Sequence, residues 1–258
     1  FFSFPKFLEL TIPWFFFALT NPQVSQRLFV PKTVGSLKTM VFGFFVFGFI
    51  YTLTTVTLGL MAKALGIIAQ PADKAMPIIL GTLVPPPLAL IIMLSILSAG
   101  VTTANSIILS LGSMVGRDIY CSLAKKPSEE NEIRIGYAVI ILEAILIWIF
   151  ASQKLGLISL LAVMASGGLL VQIPTIIGAF YWKKATAPAA YTSIIIGGII
   201  TGLFYSFKFS PLMLGPPIWG IIISTIIFVV VSLKTKQPAN AEKFIEEIRK
   251  ELKLKGFV

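Results

Sequence analysis

Seven apolar segments alternate with short polar stretches along the chain, at approximately 7–20, 38–62, 87–115, 133–152, 155–181, 188–206 and 216–233. Each is bounded by a charge cluster, a Pro/Gly turn or both. Six are long enough to cross about 30 Å of hydrocarbon as a helix. The first is short, contains Pro13 and stops at Asn21-Pro22. A residue before proline is pushed out of helical geometry, so a break is expected there. A membrane barrel would need alternating strands of ~10 residues, and stretches such as 41–50 and 221–231 do not alternate. The pattern predicts an all-α polytopic membrane protein with seven transmembrane segments. After Asn240, a plausible N-cap, Ala241–Lys255 places Phe244, Ile245, Ile248 and Leu252 at helical spacing with Glu and Lys opposite. Such a tail reads as an amphipathic helix lying on the protein or the lipid headgroups, or as a partner-binding element. No internal repeat at a period of 20–50 residues is visible.

Composition supports lipid as the solvent. Of 258 residues, 56% are hydrophobic and 12% charged, against about a quarter charged in ordinary soluble chains. The net charge of +10 would suggest nucleic acid in a soluble protein, but the mean hydropathy of +0.91 argues against it. With no His and one Cys (Cys121), His-based acid/base chemistry, most zinc sites and any internal disulfide are excluded. Cys121 reads as an ordinary reduced thiol. No nucleophile–base pair, metal cluster or phosphate loop is visible, so no enzyme is expected.

Placed along seven spans, sixteen of the 21 basic residues fall on one side, including Arg117, Lys125, Lys126, Lys183, Lys184 and the tail lysines. Lys6, Lys63, Lys74, Lys154 and Lys208 fall on the other. The positive-inside rule then predicts a cytoplasmic C-terminus in a multi-pass protein of the cell membrane. The chain begins Phe1-Phe2-Ser3-Phe4-Pro5, without Met or a signal-peptide pattern, which is the expectation for a piece of something longer.

Polar groups in hydrocarbon usually face a bundle interior or a water path. The densest set lies in segment three: Ser95, Ser98, Thr102, Thr103, Asn105, Ser106, Ser110 and Ser113. Thr102 and Thr103 lie near its centre. Their hydroxyls, with the Ala99 carbonyl one turn earlier, could give three oxygens to a hard monovalent cation. The alternative is local bonding to the i−4 carbonyl or to a neighbouring helix. Glu143 is the only acidic residue deep inside a span. It reads either as a proton-relay group or as a neutral or locally paired carboxyl in a helix interface. Glu9, close to the outer end of segment one at its start, is expected to reach water. The broken first segment resembles the discontinuous helices of secondary transporters, or is an ordinary proline kink. Ser166-Gly167-Gly168 and Pro174 mark flex points or a static kink. Gly198 and Gly202 fit close helix packing, and segment seven reads as lipid-facing.

Two stretches resemble the sodium/solute symporter family. Leu97–Tyr120, LSAGVTTANSIILSLGSMVGRDIY, is similar to the family's signature helix, and Asp73–Pro77 with the Pro85–Pro87 turn matches its lead-in. Pro174–Gly198, PTIIGAFYWKKATAPAAYTSIIIGG, resembles the Trp-basic-x-Thr loop and following small-residue helix. Asn21–Lys32, NPQVSQRLFVPK, looks like the loop after the sixth core helix.

The resemblance implies a LeuT-type fold, in which two inverted five-helix repeats enclose a midplane site. Residues 1–181 would be the second repeat, 182–233 two additional transmembrane helices and 234–258 a cytoplasmic amphipathic tail. It further implies sodium binding at Ala99, Thr102 and Thr103, and substrate contacts around Trp14, Phe17 and Ala18. The latter are apolar or aromatic where sugar transporters carry polar groups, which leaves amino acids, carboxylates and vitamins. The function implied is sodium-coupled symport of a small organic solute by alternating access, with Na+ as coupling ion and no other cofactor. The partners expected are the solute, sodium, membrane lipid and the missing N-terminal half of the transporter, and no nucleic acid. Proton coupling through Glu143 and a truncated, transport-inactive membrane protein are the alternatives.

Overall fold

The computed structural model describes residues 3–153 and 156–254. Lys154 and Lys255 of the charge pattern, the chain start at Phe1 and Phe2, and the first residue of segment five lie outside them. In chain order the helices are α1 (Phe4–Phe15), α2 (Phe17–Thr20), α3 (Pro22–Ser25), α4 (Val34–Ala64), α5 (Ala75–Leu83), α6 (Pro86–Ser113) and α7 (Cys121–Leu123). There follow α8 (Glu129–Ser152), α9 (Ile158–Leu169), α10 (Ile173–Tyr181), α11 (Ala187–Ser206), α12 (Pro216–Lys234) and α13 (Ala241–Leu254). Among the described residues six helical stretches are long and apolar enough to cross a membrane: 34–64, 86–123, 129–152, 158–181, 187–206 and 216–234. They correspond to segments two to seven. Segment one is helical but divided at Phe16.

Local chemistry sets the helix ends. Thr33 caps α4 by accepting from the Ser36 N–H at 3.1 Å, and Ser128 caps α8 by accepting from Asn131 N–H at 3.3 Å. Glu129, Glu130 and Glu132 in the first turn of α8 complement its dipole. At the other end of α4, Gly66 takes φ +72° and a Schellman pair forms, Gly66 N–H to Lys63 O and Ile67 N–H to Ala62 O. Prolines open α3, α6, α11 and α12, where the missing N–H costs nothing.

The chain divides into two compact units. One comprises residues 30–158. Its tightest crossing is between α6 and α8, with a seven-residue π-helical stretch, Met114–Tyr120, continuing α6. A Cβ on Gly112 would come 3.2 Å from Gly136 O, and one on Gly116 would come 2.8 Å from Glu132 O, so glycine is required at both. Cys121 is a free thiol whose Sγ lies 3.6 Å from Glu132 Oε2.

The other unit comprises residues 1–29 and 159–258, and is organised on α11 and α12. Beyond Pro216–Ile218 at the start of α12, their buried residues fall on two stripes of four-residue spacing: Ala189, Ser193, Gly197 and Thr201 on α11, and Gly220, Ser224, Phe228 and Ser232 on α12. Small side chains let the two backbones approach closely, which is how helices associate when no hydrophobic force acts between them. A Cβ on Gly220 would stand 2.5 Å from Thr201 Oγ1, itself bound to Gly197 O at 2.7 Å. Two expectations are corrected here. Gly198 and Gly202 have nothing within 4 Å of an added Cβ; the packing glycine is Gly197, one position earlier. Segment seven is not uniformly lipid-facing, since Gly220 and Ser224 are buried against α11 and Phe228 against Gly178 of α10. Residues one apart on a helix point about 100° apart, so neighbours in sequence occupy different faces.

Helix α9 runs into a 3₁₀ turn, Leu170–Gln172, and then α10. This discontinuity follows Ser166-Gly167-Gly168 and precedes Pro174, as the flex-point residues suggested. Helix α13 is docked on the same unit through Ile245, which is 2% exposed. Around it, Lys183 Nζ meets Glu242 Oε1 at 2.8 Å and Gln237 Nε2 donates to Lys183 O at 2.7 Å. The hydrogen bond from Lys183 and its positive charge hold the Glu242 carboxyl below its ordinary value.

Two outcomes follow. Gly220→Val overpacks the α11–α12 crossing and should cost about 1–3 kcal/mol, read as a thermal midpoint lowered by several degrees in detergent, whereas Gly198→Ala should leave it unchanged. Because the docked Glu242 has a lowered pKa, its contribution to docking of α13 is present above the ordinary carboxylate range and is lost as pH falls through the lowered value. Protease cleavage within 236–242 should accelerate in that acidic window, and Glu242→Gln should remove the pH dependence.

Candidate ion and substrate site

In α6 the three expected cation-binding atoms are tied to one another. Thr102 Oγ1 donates to Ala99 O at 3.0 Å and Thr103 Oγ1 donates to the same carbonyl at 2.9 Å. The i−3 and i−4 positions of a helix both lie one turn back, which is why adjacent hydroxyls converge on one oxygen. This is the local bonding anticipated as an alternative, and it also gathers three neutral hard oxygens. A cation there would be met by hydroxyl oxygens once their protons turn away from Ala99. Three oxygens are a partial set, since hard cations take six or more. All three residues are exposed within this chain.

A cleft of about 720 Å³ opens beside this turn, lined by Ala99 and Thr103 together with Tyr51, Ile92, Ser95 and Gly100. Ser95, Ala99 and Thr103 recur every four residues and so share a face. Thr102 is about 100° away and does not line the cleft. Tyr51 of α4 and Ser95 were not singled out as a pair from sequence. The four-residue spacing marks Ser95, but nothing local marks Tyr51, which reaches the cleft only because its helix lies there.

Glu143 sits on the face of α8 that carries Glu132, Gly136 and Ile140, each three or four residues from the next. It is half-buried, and its Oε2 is shielded from solvent without a hydrogen-bond partner among the described residues. Such a group in a low-dielectric setting is costly unless it is protonated or paired.

Trp14, Phe17 and Ala18 belong to the other unit and flank the break in the first segment. Pro13 denies the helix one N–H. Phe16 leaves helical geometry at φ −92°, ψ 2°, and Thr20 Oγ1 donates to Phe16 O at 3.1 Å beside the Leu19 and Thr20 N–H groups, each at 3.0 Å. A second break comes at Asn21, extended before Pro22 as expected. Trp14 and Phe17 stack obliquely across the first break with centroids 5.4 Å apart, Trp14 and Ala18 exposed and Phe17 half-buried. Thr20 and Gln23, also buried in this stretch, were not singled out from sequence.

Near the start of that segment Glu9 pairs with Lys6 at 3.0 Å, and its carboxylate packs on Gly215, ahead of α12. Its side chain is 17% exposed, so it reaches less water than expected. Tyr205 Oη lies against Gly167 and is buried without a hydrogen-bond partner. Gly167 and Gly215 are thus positions where a Cβ would displace a polar side chain.

A family model, the sodium:solute symporter family, matches residues 3–197. The match takes in α1 to α10 and about half of α11. Among curated proteins, the sodium/pantothenate symporter of Haemophilus influenzae (strain ATCC 51907 / DSM 11121 / KW20 / Rd) is 32% identical over 155 residues. That alignment covers 56% of this chain and 32% of the relative, so the chain spans about a third of that protein's length. No solved structure matches the chain. With the model covering well over half of its length, including the hydroxyl pair, the broken first segment and the α9–α10 discontinuity, the chain belongs to the sodium:solute symporter family.

Proposed function

We propose that this chain is the C-terminal portion of a sodium-coupled symporter that carries a small organic solute by alternating access. The observation that carries this reading is the convergence of the Thr102 and Thr103 hydroxyls on Ala99 O, inside an apolar helix of a symporter-family chain. Sodium bound there stabilises one conformation by its differential affinity, and the solute moves with the resulting shift in population. Ala99, Thr102 and Thr103 supply part of the ion's shell. The remaining ligands come from a preceding repeat, in a LeuT-type fold with two inverted repeats. In that fold residues 1–181 form the second repeat, and segment one is the sixth core helix and brings the spans of this chain to seven. Residues 182–233 are added helices, and the tail lies in the cytoplasm.

Trp14, Phe17 and Ala18 line the solute path beside the break at Phe16, where backbone freed from the helix can turn to a substrate. The relative's named substrate makes a small carboxylate the first solute to test. In the transporter carrying this sequence, Thr102→Ala with Thr103→Ala should raise half-saturating sodium by about tenfold or more, equivalent to ~1.4 kcal/mol or more, at unchanged surface expression. Sodium-dependent uptake identical to the parent's would sink the site.

A second reading rests on Glu143, whose Oε2 has no partner. If coupling runs through that carboxyl, Glu143→Gln should abolish uptake driven by a pH gradient. Uptake that is insensitive to pH in the parent, or unaltered in Glu143→Gln, removes this second coupling mode.

A further inference from the structure

Between α10, the loop after it, α12 and the docked tail helix α13 lies an open groove of about 400 Å³. Its walls are nearly all apolar, with Ala179, Trp182, Phe228, Phe244 and Ile245 among them. Trp182 and Phe228 meet edge to face at 5.7 Å and form the floor, over the Cα of Gly178. Ile245 is 2% exposed and pins α13 in place, whereas Phe244 on the same helix is 49% exposed and stands at the groove's edge. Phe228 lies within an apolar membrane-crossing stretch, so the groove opens where acyl chains are at hand.

Its rim is basic. Lys183 and Lys184 stand between the lining residues Trp182 and Ala185, and Lys234 and Lys236 precede the lining residue Pro238. Lys183 is committed to Glu242. Lys184, Lys234 and Lys236 are exposed, and none is in an ion pair among the described residues. This is also the side of the membrane to which the charge pattern assigns most of the basic residues. An apolar slot beside a membrane-length helix, with exposed cations next to its lining residues in sequence, matches an amphiphile that has an apolar chain and an anionic head. A soluble anion would use the lysines and leave the slot empty. A zwitterionic lipid would fill the slot and gain little from three cations.

We propose that this groove is a binding site for an anionic phospholipid, with one acyl chain between α10 and α13 and the phosphate at Lys184, Lys234 and Lys236. The bound lipid bridges the end of α10 to the tail, complementing the Lys183–Glu242 pair. The site is separate from the residues assigned to sodium and solute, and binding is read without transport.

Native mass spectrometry of the detergent-purified chain, titrated with dioleoyl phosphatidylglycerol or dioleoyl phosphatidylcholine, tests it. The expected result is several-fold greater retention of phosphatidylglycerol. The triple variant Lys184→Gln/Lys234→Gln/Lys236→Gln should erase the preference, and Lys125→Gln/Lys126→Gln should keep it. Ala179→Phe, at an exposed wall position, should lower retention of both lipids; Phe244→Ser serves if that variant does not fold. Glycerol 3-phosphate at the same concentration should not compete. Equal retention of the two lipids, a preference surviving the triple lysine change, groove variants that bind normally, or displacement by glycerol 3-phosphate would each overturn the proposal.

Discussion

A backbone N–H or C=O in hydrocarbon has no water to turn to, and each unpaired group costs several kcal/mol. Most of this chain is organised by that constraint. It makes the apolar segments helical, and it limits breaks to places where something else takes over the freed groups. At the first segment's break the Leu19 and Thr20 N–H groups both reach Phe16 O, joined by the Thr20 hydroxyl. At the α9–α10 junction a 3₁₀ turn keeps the bonding going. It also drives hydroxyls back onto the helix: Thr54, Thr57, Thr82 and Ser95 all bond the carbonyl four residues earlier. Thr102 and Thr103 share a single carbonyl, as Ser224 and Thr225 of α12 do at Ile221 O, which concentrates oxygen at one turn of each helix. The cation site proposed above and a satisfied helix would use the same atoms, differing only in where the hydroxyl protons point.

Helices that share an apolar solvent must find another reason to associate. In the unit built on α11 and α12 that reason is close approach: Gly197 and Gly220 bring the backbones together and Ser193, Ser224 and Thr201 fill the seam. In the unit of residues 30–158, Gly112, Gly116 and Gly136 do the same for α6 and α8. Where the seam is made of small residues, a lone larger group beside it becomes conspicuous. Glu143, next along the α8 face from Ile140, and Tyr205, against Gly167, are both buried at a polar atom without a partner. Such groups cost stability and are retained in membranes chiefly where they act.

Much of the secondary structure was legible from hydropathy alone, because a ~20-residue apolar run has few alternatives in lipid. The break at Asn21-Pro22 was legible for a covalent reason, while the one at Phe16 was not, since it depends on Pro13 and on where Thr20's hydroxyl goes. Close packing was predicted through the Gly198/Gly202 pair but occurs one residue away at Gly197. Spacing identifies a face that could pack, and two overlapping four-residue stripes in one helix look equally good until a partner chooses. Mean hydropathy likewise made segment seven look uniform, concealing Gly220, Ser224 and Ser232 among isoleucines and valines. Of the candidate site, the Ala99–Thr102–Thr103 turn was legible because it is local. The cleft beside it was not, because Tyr51 joins it across some fifty residues of chain.

The sequence by itself determined the solvent, the number and extent of the long helices, most of their ends and the family signature. These rest on local or averaged properties: apolar length, caps, prolines and charge placement. Tertiary structure decided which faces pair, which hydroxyls and carboxyls are enclosed, and where grooves open. Those outcomes depend on contacts between residues far apart in the chain, and among equally apolar faces the hydrophobic pattern carries no preference. Only the fit of one small-residue seam against another selects between them.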